Sequence, residues 1–264
     1  MKEMINELLV SLSGRNESNA IVFVHGFPFD HKMWQAQVVE ISKDYFCVTY
    51  DIRGLGESTV DDGQFTMESF VDDLEKIIDE LKLNRPVLCG LSMGGYISLR
   101  AIERIQEKFS ALILCDTKSS ADDNEGKLKR AAAIKLINSG GFESFIDAFV
   151  LNCFGEKFVK EKRNEYDAVV NRSMMNNSIG VKGCLLAMVS RTDTTNILNK
   201  IKLPTLIICG SEDKLSPPDV MKSMAEQIPN SEFVLVKNTG HMTPIESPQV
   251  VNQAIKNFLT KNRI

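Results

Sequence analysis

Ser92 stands in Cys89-Gly90-Leu91-Ser92-Met93-Gly94-Gly95, directly after the apolar run Val87-Leu88-Cys89. Glycines two residues before and after a serine remove side chains where a strand turns sharply into a helix, and such a turn can raise the hydroxyl as a nucleophile. The same residues also make an ordinary glycine-rich turn, so the motif needs partners. A serine hydroxyl attacks only when a base takes its proton. The chain has three histidines, His25, His31 and His241. His241 lies in Lys237-Asn238-Thr239-Gly240-His241-Met242, just past the apolar run Phe233-Val234-Leu235-Val236, and is the candidate base. The base in turn needs a carboxylate that holds its tautomer and stabilises the imidazolium. Three stand after apolar runs: Glu212 and Asp213 follow Thr205–Cys209, and Asp116 follows Ala111–Cys115. The oxyanion of an acyl-transfer step needs two N–H donors. The Met93 amide is one candidate. The Phe27 amide, in Val24-His25-Gly26-Phe27-Pro28, is the other. Gly26 lets that loop turn inward, Pro28 stiffens it, and His25 reads as its brace. The side chains of Phe27 and Met93 are expected to face the acyl pocket.

Positioning these groups requires strands that end at one edge of a sheet. Five runs are continuously apolar: Ala20–Val24, Phe46–Tyr50, Val87–Cys89, Ala111–Cys115 and Thr205–Cys209. A strand reads this way when helices cover both of its faces. Phe233–Val236 is a sixth, and Leu8–Leu12 fits a strand at the start. Helical periodicity alternates with them. Residues 66–82 put Phe70, Leu74, Ile77, Ile78 and Leu81 on one face after a capping threonine, and residues 94–106, 217–228 and 248–262 follow suit. The alternation predicts an α/β fold with a mostly parallel central sheet flanked by helices. It breaks over 117–197, where helix formers, Met and Phe are punctuated by Gly140-Gly141 and Gly155. Residues 1–116 and 198–264 are therefore expected to form the core, and 117–197 an inserted helical cap. Phe142, Phe145, Phe149, Met174, Met175 and Met188 could line a pocket there or pack between helices.

The 264 residues carry a formal net charge of -4, with basic residues spread along the chain, which argues against a nucleic-acid or anionic-membrane partner. The acidic-then-basic stretch from Asp122 to Arg130 reads as a solvated helix start. No run is long enough for a signal peptide or a membrane span. The six cysteines form no C-x-x-C pair and mostly fall in apolar runs. They read as small core residues in a reducing, cytoplasmic setting, not as disulfides or metal ligands.

Five segments together resemble the α/β-hydrolase superfamily: His25–Asp30 with Trp34 behind it, Asp51-Ile52-Arg53-Gly54-Leu55-Gly56-Glu57-Ser58, Gly90–Gly95, Gly210–Pro217 and Asn238–Pro248. Within it the chain is similar to small serine carboxylesterases, aryl esterases and 3-oxoadipate enol-lactonases. The resemblance implies the α/β-hydrolase fold with Ser92, Asp213 and His241 as catalytic residues in that chain order, and so selects Asp213 over Glu212 and Asp116. It implies Phe27 and Met93 as oxyanion donors, no metal and no cofactor. The implied activity is hydrolysis of small to medium, mostly apolar carboxylic esters or lactones through an acyl-enzyme, by a monomer or homodimer. The proline in the oxyanion loop adds a perhydrolase side reaction, as in aryl esterase relatives. Haloalkane dehalogenases carry Asp where Ser92 stands, and HGGG lipases carry glycines that His25–Asp30 lacks. The segment before His25 is short for the family, so its first strands are expected to be reduced or missing. Two alternatives share the same residues. One is a carbon–carbon hydrolase or a lyase similar to the menaquinone-pathway synthase, for whose anionic substrate Arg130, Arg172 and Arg191 are available. The other is a non-enzymatic ligand receptor on this fold.

Overall fold

The computed structural model describes residues 1–264. In chain order its elements begin β1 (Lys2–Ile5), β2 (Leu8–Ser13), β3 (Ala20–Val24), α1 (Gln35–Ile41), β4 (Phe46–Tyr50), α2 (Met67–Glu80), β5 (Val87–Leu91), α3 (Met93–Ile105) and β6 (Ala111–Cys115). Five helices follow without a strand: α4 (Asn124–Asn138), α5 (Phe142–Cys153), α6 (Glu156–Glu161), α7 (Arg163–Met174) and α8 (Ser178–Val189). The chain then returns to β7 (Thr205–Gly210), α9 (Pro218–Gln227), β8 (Ser231–Val236), α10 (Thr243–Glu246) and α11 (Pro248–Lys261).

The eight strands form one sheet in the order β1-β2-β4-β3-β5-β6-β7-β8. Pairing is parallel from β4 through β8 and antiparallel between β1 and β2 and between β2 and β4. Every residue of β3, β4, β5, β6 and β7 is buried, as their unbroken apolar composition requires. Helices pair over the sheet, α2 against α3 and α1 against α11. A reciprocal Thr66–Ser69 capping box opens α2, and its apolar stripe, including Phe70, Leu74, Ile77 and Ile78, is buried.

The first strands are neither reduced nor missing. β1 and β2 make a hairpin whose turn residues Asn6 and Glu7 both have positive φ, 50° and 62°, the hand that suits a two-residue hairpin turn. β1 is an outer strand that begins with Lys2 and Glu3 and buries only Ile5, so it shows no continuous apolar run. All six cysteines are free and buried. No helix is long and apolar enough to cross a membrane.

Candidate active site

The carboxyl end of β5 turns into α3 through Ser92, whose backbone sits at φ 54°, ψ −115°. That conformation is strained for a residue with a Cβ. The surroundings over-determine it. The Ser92 amide donates to the Cys115 carbonyl at 3.1 Å, and its carbonyl accepts from Tyr96 N at 3.0 Å and from Thr117 Oγ1 at 2.8 Å. The flanking glycines are steric necessities. A Cβ on Gly90 would lie 2.3 Å from the Gly94 carbonyl oxygen, and one on Gly94 would lie 2.2 Å from the Val24 carbonyl oxygen. The Ser92 hydroxyl does not cap its own helix, and Ser92 lines a cavity of about 440 Å³. A larger open cleft, about 1080 Å³, surrounds the start of β3 and β4. It holds neither Ser92 nor a histidine.

His241 lies in the loop between β8 and α10, and Asp213 in the loop after β7. His241 Nδ1 donates to Asp213 Oδ2 at 2.8 Å, and both residues are buried. Asp213 Oδ1 accepts the amides of Leu215 at 2.8 Å and Ser216 at 3.0 Å. This fixes the carboxylate, which fixes the ring with its proton on Nδ1 and leaves Nε2 as the proton acceptor. Burial works against a charged imidazole, but the charge and hydrogen bond of Asp213, with a smaller contribution from Glu246, outweigh it and raise His241 above its ordinary value. No hydrogen bond joins Ser92 Oγ to His241 Nε2 in this structure.

The other two carboxylates do not meet His241. Glu212 is exposed. Asp116 is fully buried but turns to the backbone: it accepts Gly210 N at 2.9 Å, Thr243 N at 3.3 Å and Thr243 Oγ1 at 2.5 Å. It is a strut between the end of β7 and the start of α10. Burial, then the Asp213 charge, push it far above the carboxylate range. Asp116, Cys209 and Asp213 bring ligand-type atoms within 4.8 Å of one another. The set does not suit a metal: both carboxylates are engaged, and burial raises the Cys209 thiol away from the thiolate that a metal needs.

The loop after β3 packs on the elbow, since a Cβ on Gly26 would lie 3.3 Å from Ser92 Cβ. No internal acceptor takes the Phe27 amide, and Met93 is the first residue of α3, where an amide has no intrahelical acceptor. Both N–H groups are thus free to serve an oxyanion. His25 braces the loop: Nδ1 donates to the Gly26 carbonyl at 2.8 Å and Nε2 accepts from Ile52 N at 2.8 Å. Burial lowers its proton affinity despite the nearby Asp51 charge, which suits this neutral role. Phe27 lines the cavity with Phe145 and Phe149, ring centroids 6.2 and 5.2 Å away. Met93 departs from expectation. Its side chain is fully buried and is not among the cavity-lining residues, because the first turn of α3 points it into the core. Met188 also lines the cavity, Phe142 and Met174 pack against the core, and Met175 is 85% exposed.

The start of α4 is not simply solvated. Asp123 caps the helix through Gly126 N at 2.8 Å. Asp122 is buried against Arg130 and Arg191, the latter at 3.0 Å, with Lys118 at 3.8 Å. Arg191 lies 4.1 Å over the Tyr96 ring. Tyr96, Lys118, Asp122 and Arg130 all border the cavity, while Arg172 faces Asp30 instead, at 3.6 Å. The sequence does contain a signal for Tyr96, one helical turn after Ser92. None marks Asn176, whose side chain accepts from Gly56 N at 2.8 Å and donates to the Pro28 carbonyl at 2.7 Å.

The family model described as the alpha/beta hydrolase fold matches residues 19–248. The chain belongs to the α/β-hydrolase family. It is similar to 3-oxoadipate enol-lactonase 1 of Acinetobacter baylyi, 27% identical across 96% of this chain and 92% of that protein. A provisional 2-succinyl-6-hydroxy-2,4-cyclohexadiene-1-carboxylate synthase of Bacillus subtilis is also 27% identical, over 95% of this chain and 94% of the other. Among solved structures, a malate-bound thermophilic esterase from Thermogutta terrifontis superposes with a TM-score of 0.94 at 31% identity, covering 100% of both chains. This α/β hydrolase thus shares its fold with esterases and lactonases alike.

Proposed function

We propose that this α/β hydrolase cleaves carboxylic esters or lactones through a covalent acyl-enzyme on Ser92. The observation that carries the reading is the strained elbow, with Ser92 at φ 54° opening on a cavity of about 440 Å³. Strain of this kind persists where the surroundings hold a group for use. In the first step Ser92 Oγ attacks the substrate carbonyl carbon while His241 Nε2 takes the hydroxyl proton. Asp213 holds the ring and stabilises the imidazolium. The amides of Phe27 and Met93 receive the negative oxygen, and the positive end of α3 adds to their field. His241 then returns the proton to the leaving alcohol. In the second step His241 deprotonates water, which attacks the acyl carbon and frees Ser92. Helices α4–α8 serve as a cap, and Phe27, Phe145, Phe149, Leu185 and Met188 offer the acyl group apolar contacts in a cavity that Lys118, Asp122, Lys129 and Arg130 also border. The enol-lactonase and esterase relatives support the substrate class.

A second reading, a carbon–carbon hydrolase or lyase acting on an anionic substrate, draws on the Lys118–Arg130–Arg191 cluster around one carboxylate and on the synthase relative. Hydrolysis of p-nitrophenyl acetate, butyrate and octanoate, with burst detection, separates the two. Steady turnover that peaks at one chain length and is lost in Ser92→Ala fits the esterase. No reaction with any of the three esters favours the second reading.

A further inference from the structure

Three consecutive amides support the loop of His241, and each has an acceptor. Gly240 N donates to Glu246 at 3.0 and 3.1 Å, His241 N to the Cys153 carbonyl at 2.8 Å, and Met242 N to Glu246 Oε1 at 3.2 Å. Glu246 Oε2 also accepts Gly155 N at 2.9 Å. Cys153 ends α5 and Gly155 precedes α6, so both belong to the helical insert. One carboxylate therefore ties both flanks of the histidine to the insert, while a carbonyl of the insert takes the amide between them. The contact leaves no room for side chains, since a Cβ on Gly240 would lie 2.6 Å from Gly155 N.

We propose that Glu246 is a positioning residue for His241, holding the base's backbone against the helical insert and supplying a negative charge that strengthens it as a proton acceptor. This rests on the reading of His241 as the base. Three carboxylates act on it, Asp213 in the loop after β7, Asp116 after β6 and Glu246 in α10, and Glu212 lies close to Gly155. Asp213 acts directly on the ring. Asp116 is driven toward its neutral form by burial and by Asp213, and Glu212 is exposed to screening solvent. The Cys153 thiol, facing from α5, is buried and pushed well up, so it adds no charge. Glu246 is left as the second source of field. Burial lifts its proton affinity above the ordinary glutamate value, with the three amides and His241 opposing the rise; both of its oxygens accept only N–H donors, the pattern that suits a carboxylate and not a carboxylic acid. A glutamine could keep one acceptor oxygen but would turn an NH₂ toward an amide donor.

The test uses Glu246→Gln and Glu246→Asp in the full chain. The His241 titration is followed by NMR on ¹⁵N-histidine-labelled protein, which needs no substrate. Three histidines make the spectrum simple, and His241→Gln assigns the signal. kcat and KM on p-nitrophenyl butyrate are measured in parallel across the same pH range. Glu246→Gln is expected to lower the His241 midpoint by about half a pH unit, to move the acid limb of kcat/KM equally, and to lower kcat about tenfold at nearly constant KM. Glu246→Asp keeps the charge and restores the midpoint, but its shorter reach loses Gly155 and part of kcat. An unchanged midpoint and kcat in Glu246→Gln, with only a lower Tm, would reduce Glu246 to a structural brace and overturn the proposal. Should Glu246→Gln not fold, an Asp variant with kcat unchanged would also overturn it. If the wild type turns over no ester, the NMR midpoint still decides Glu246, and only the esterase reading falls.

Discussion

Replacing Asp213 by Asn exchanges one carboxylate oxygen for an NH₂ while preserving size. The carboxylate uses Oδ1 for the Leu215 and Ser216 amides and Oδ2 for His241 Nδ1. The asparagine keeps its oxygen on the two amides, because the reverse orientation leaves two N–H donors facing an NH₂ at about 1–3 kcal/mol each. Its NH₂ then faces His241, whose Nδ1 must become the acceptor. The ring proton moves to Nε2, the nitrogen that has to receive the Ser92 proton. The fold survives and the base is in the wrong tautomer. The expected loss in kcat is about 10⁴-fold, or about 5.5 kcal/mol of transition-state stabilisation at about 1.4 kcal/mol per decade. Asp116→Asn is the control. Asp116 is already driven toward neutrality and its carboxyl group bonds only to Gly210 and Thr243, so an amide there should cost less than about tenfold. The assay is kcat on p-nitrophenyl butyrate, with Ser92→Ala as background and Tm measured for each variant. A larger loss in Asp116→Asn than in Asp213→Asn, at equal Tm, would refute the assignment of the acid.

Ser92→Ala should lower turnover by about 10⁶-fold. Ser92→Gly should also be inactive yet melt about 2–4 °C higher, since glycine relieves about 1 kcal/mol of strain at φ 54°, and differential scanning calorimetry checks this. Because His241 must be neutral to act and its folded value is raised above 6.5, kcat/KM should fall as pH drops through a single limb lying above 6.5; a pH–rate profile with its limb below that value contradicts the electrostatics. Asn176→Ala removes the tie between Gly56 N and the Pro28 carbonyl. It should destabilise the chain by about 2–4 kcal/mol in urea unfolding and lower kcat, because Pro28 adjoins the Phe27 amide.

The sequence by itself determined the strand ends and what stands on them. Continuous apolar runs predict buried parallel strands, and glycine at 90 and 94 predicts a tight elbow, because both rest on local sterics and burial. The elbow that carries Ser92, the loops that carry His241 and Phe27, and the bracing of the latter loop by His25 were legible for that reason, as was the stripe of α2. The first hairpin was not, since β1 is an outer strand in which only Ile5 is buried and Lys2 and Glu3 interrupt any apolar run. Which carboxylate meets His241 was not legible from spacing either. Asp116 and Asp213 both follow strands, and the loops after β7 and β8 alone decide that one touches the ring while the other spans Gly210 and Thr243. Asp122 looked solvated in the chain and is buried in the fold, because Arg191, 69 residues away in α8's wake, returns to neutralise it. Glu246 and Asn176 take their places from contacts between the insert and the core. A side chain's local conformation is set by its neighbours in sequence, but its electrostatic partner is set by whatever the completed fold packs against it.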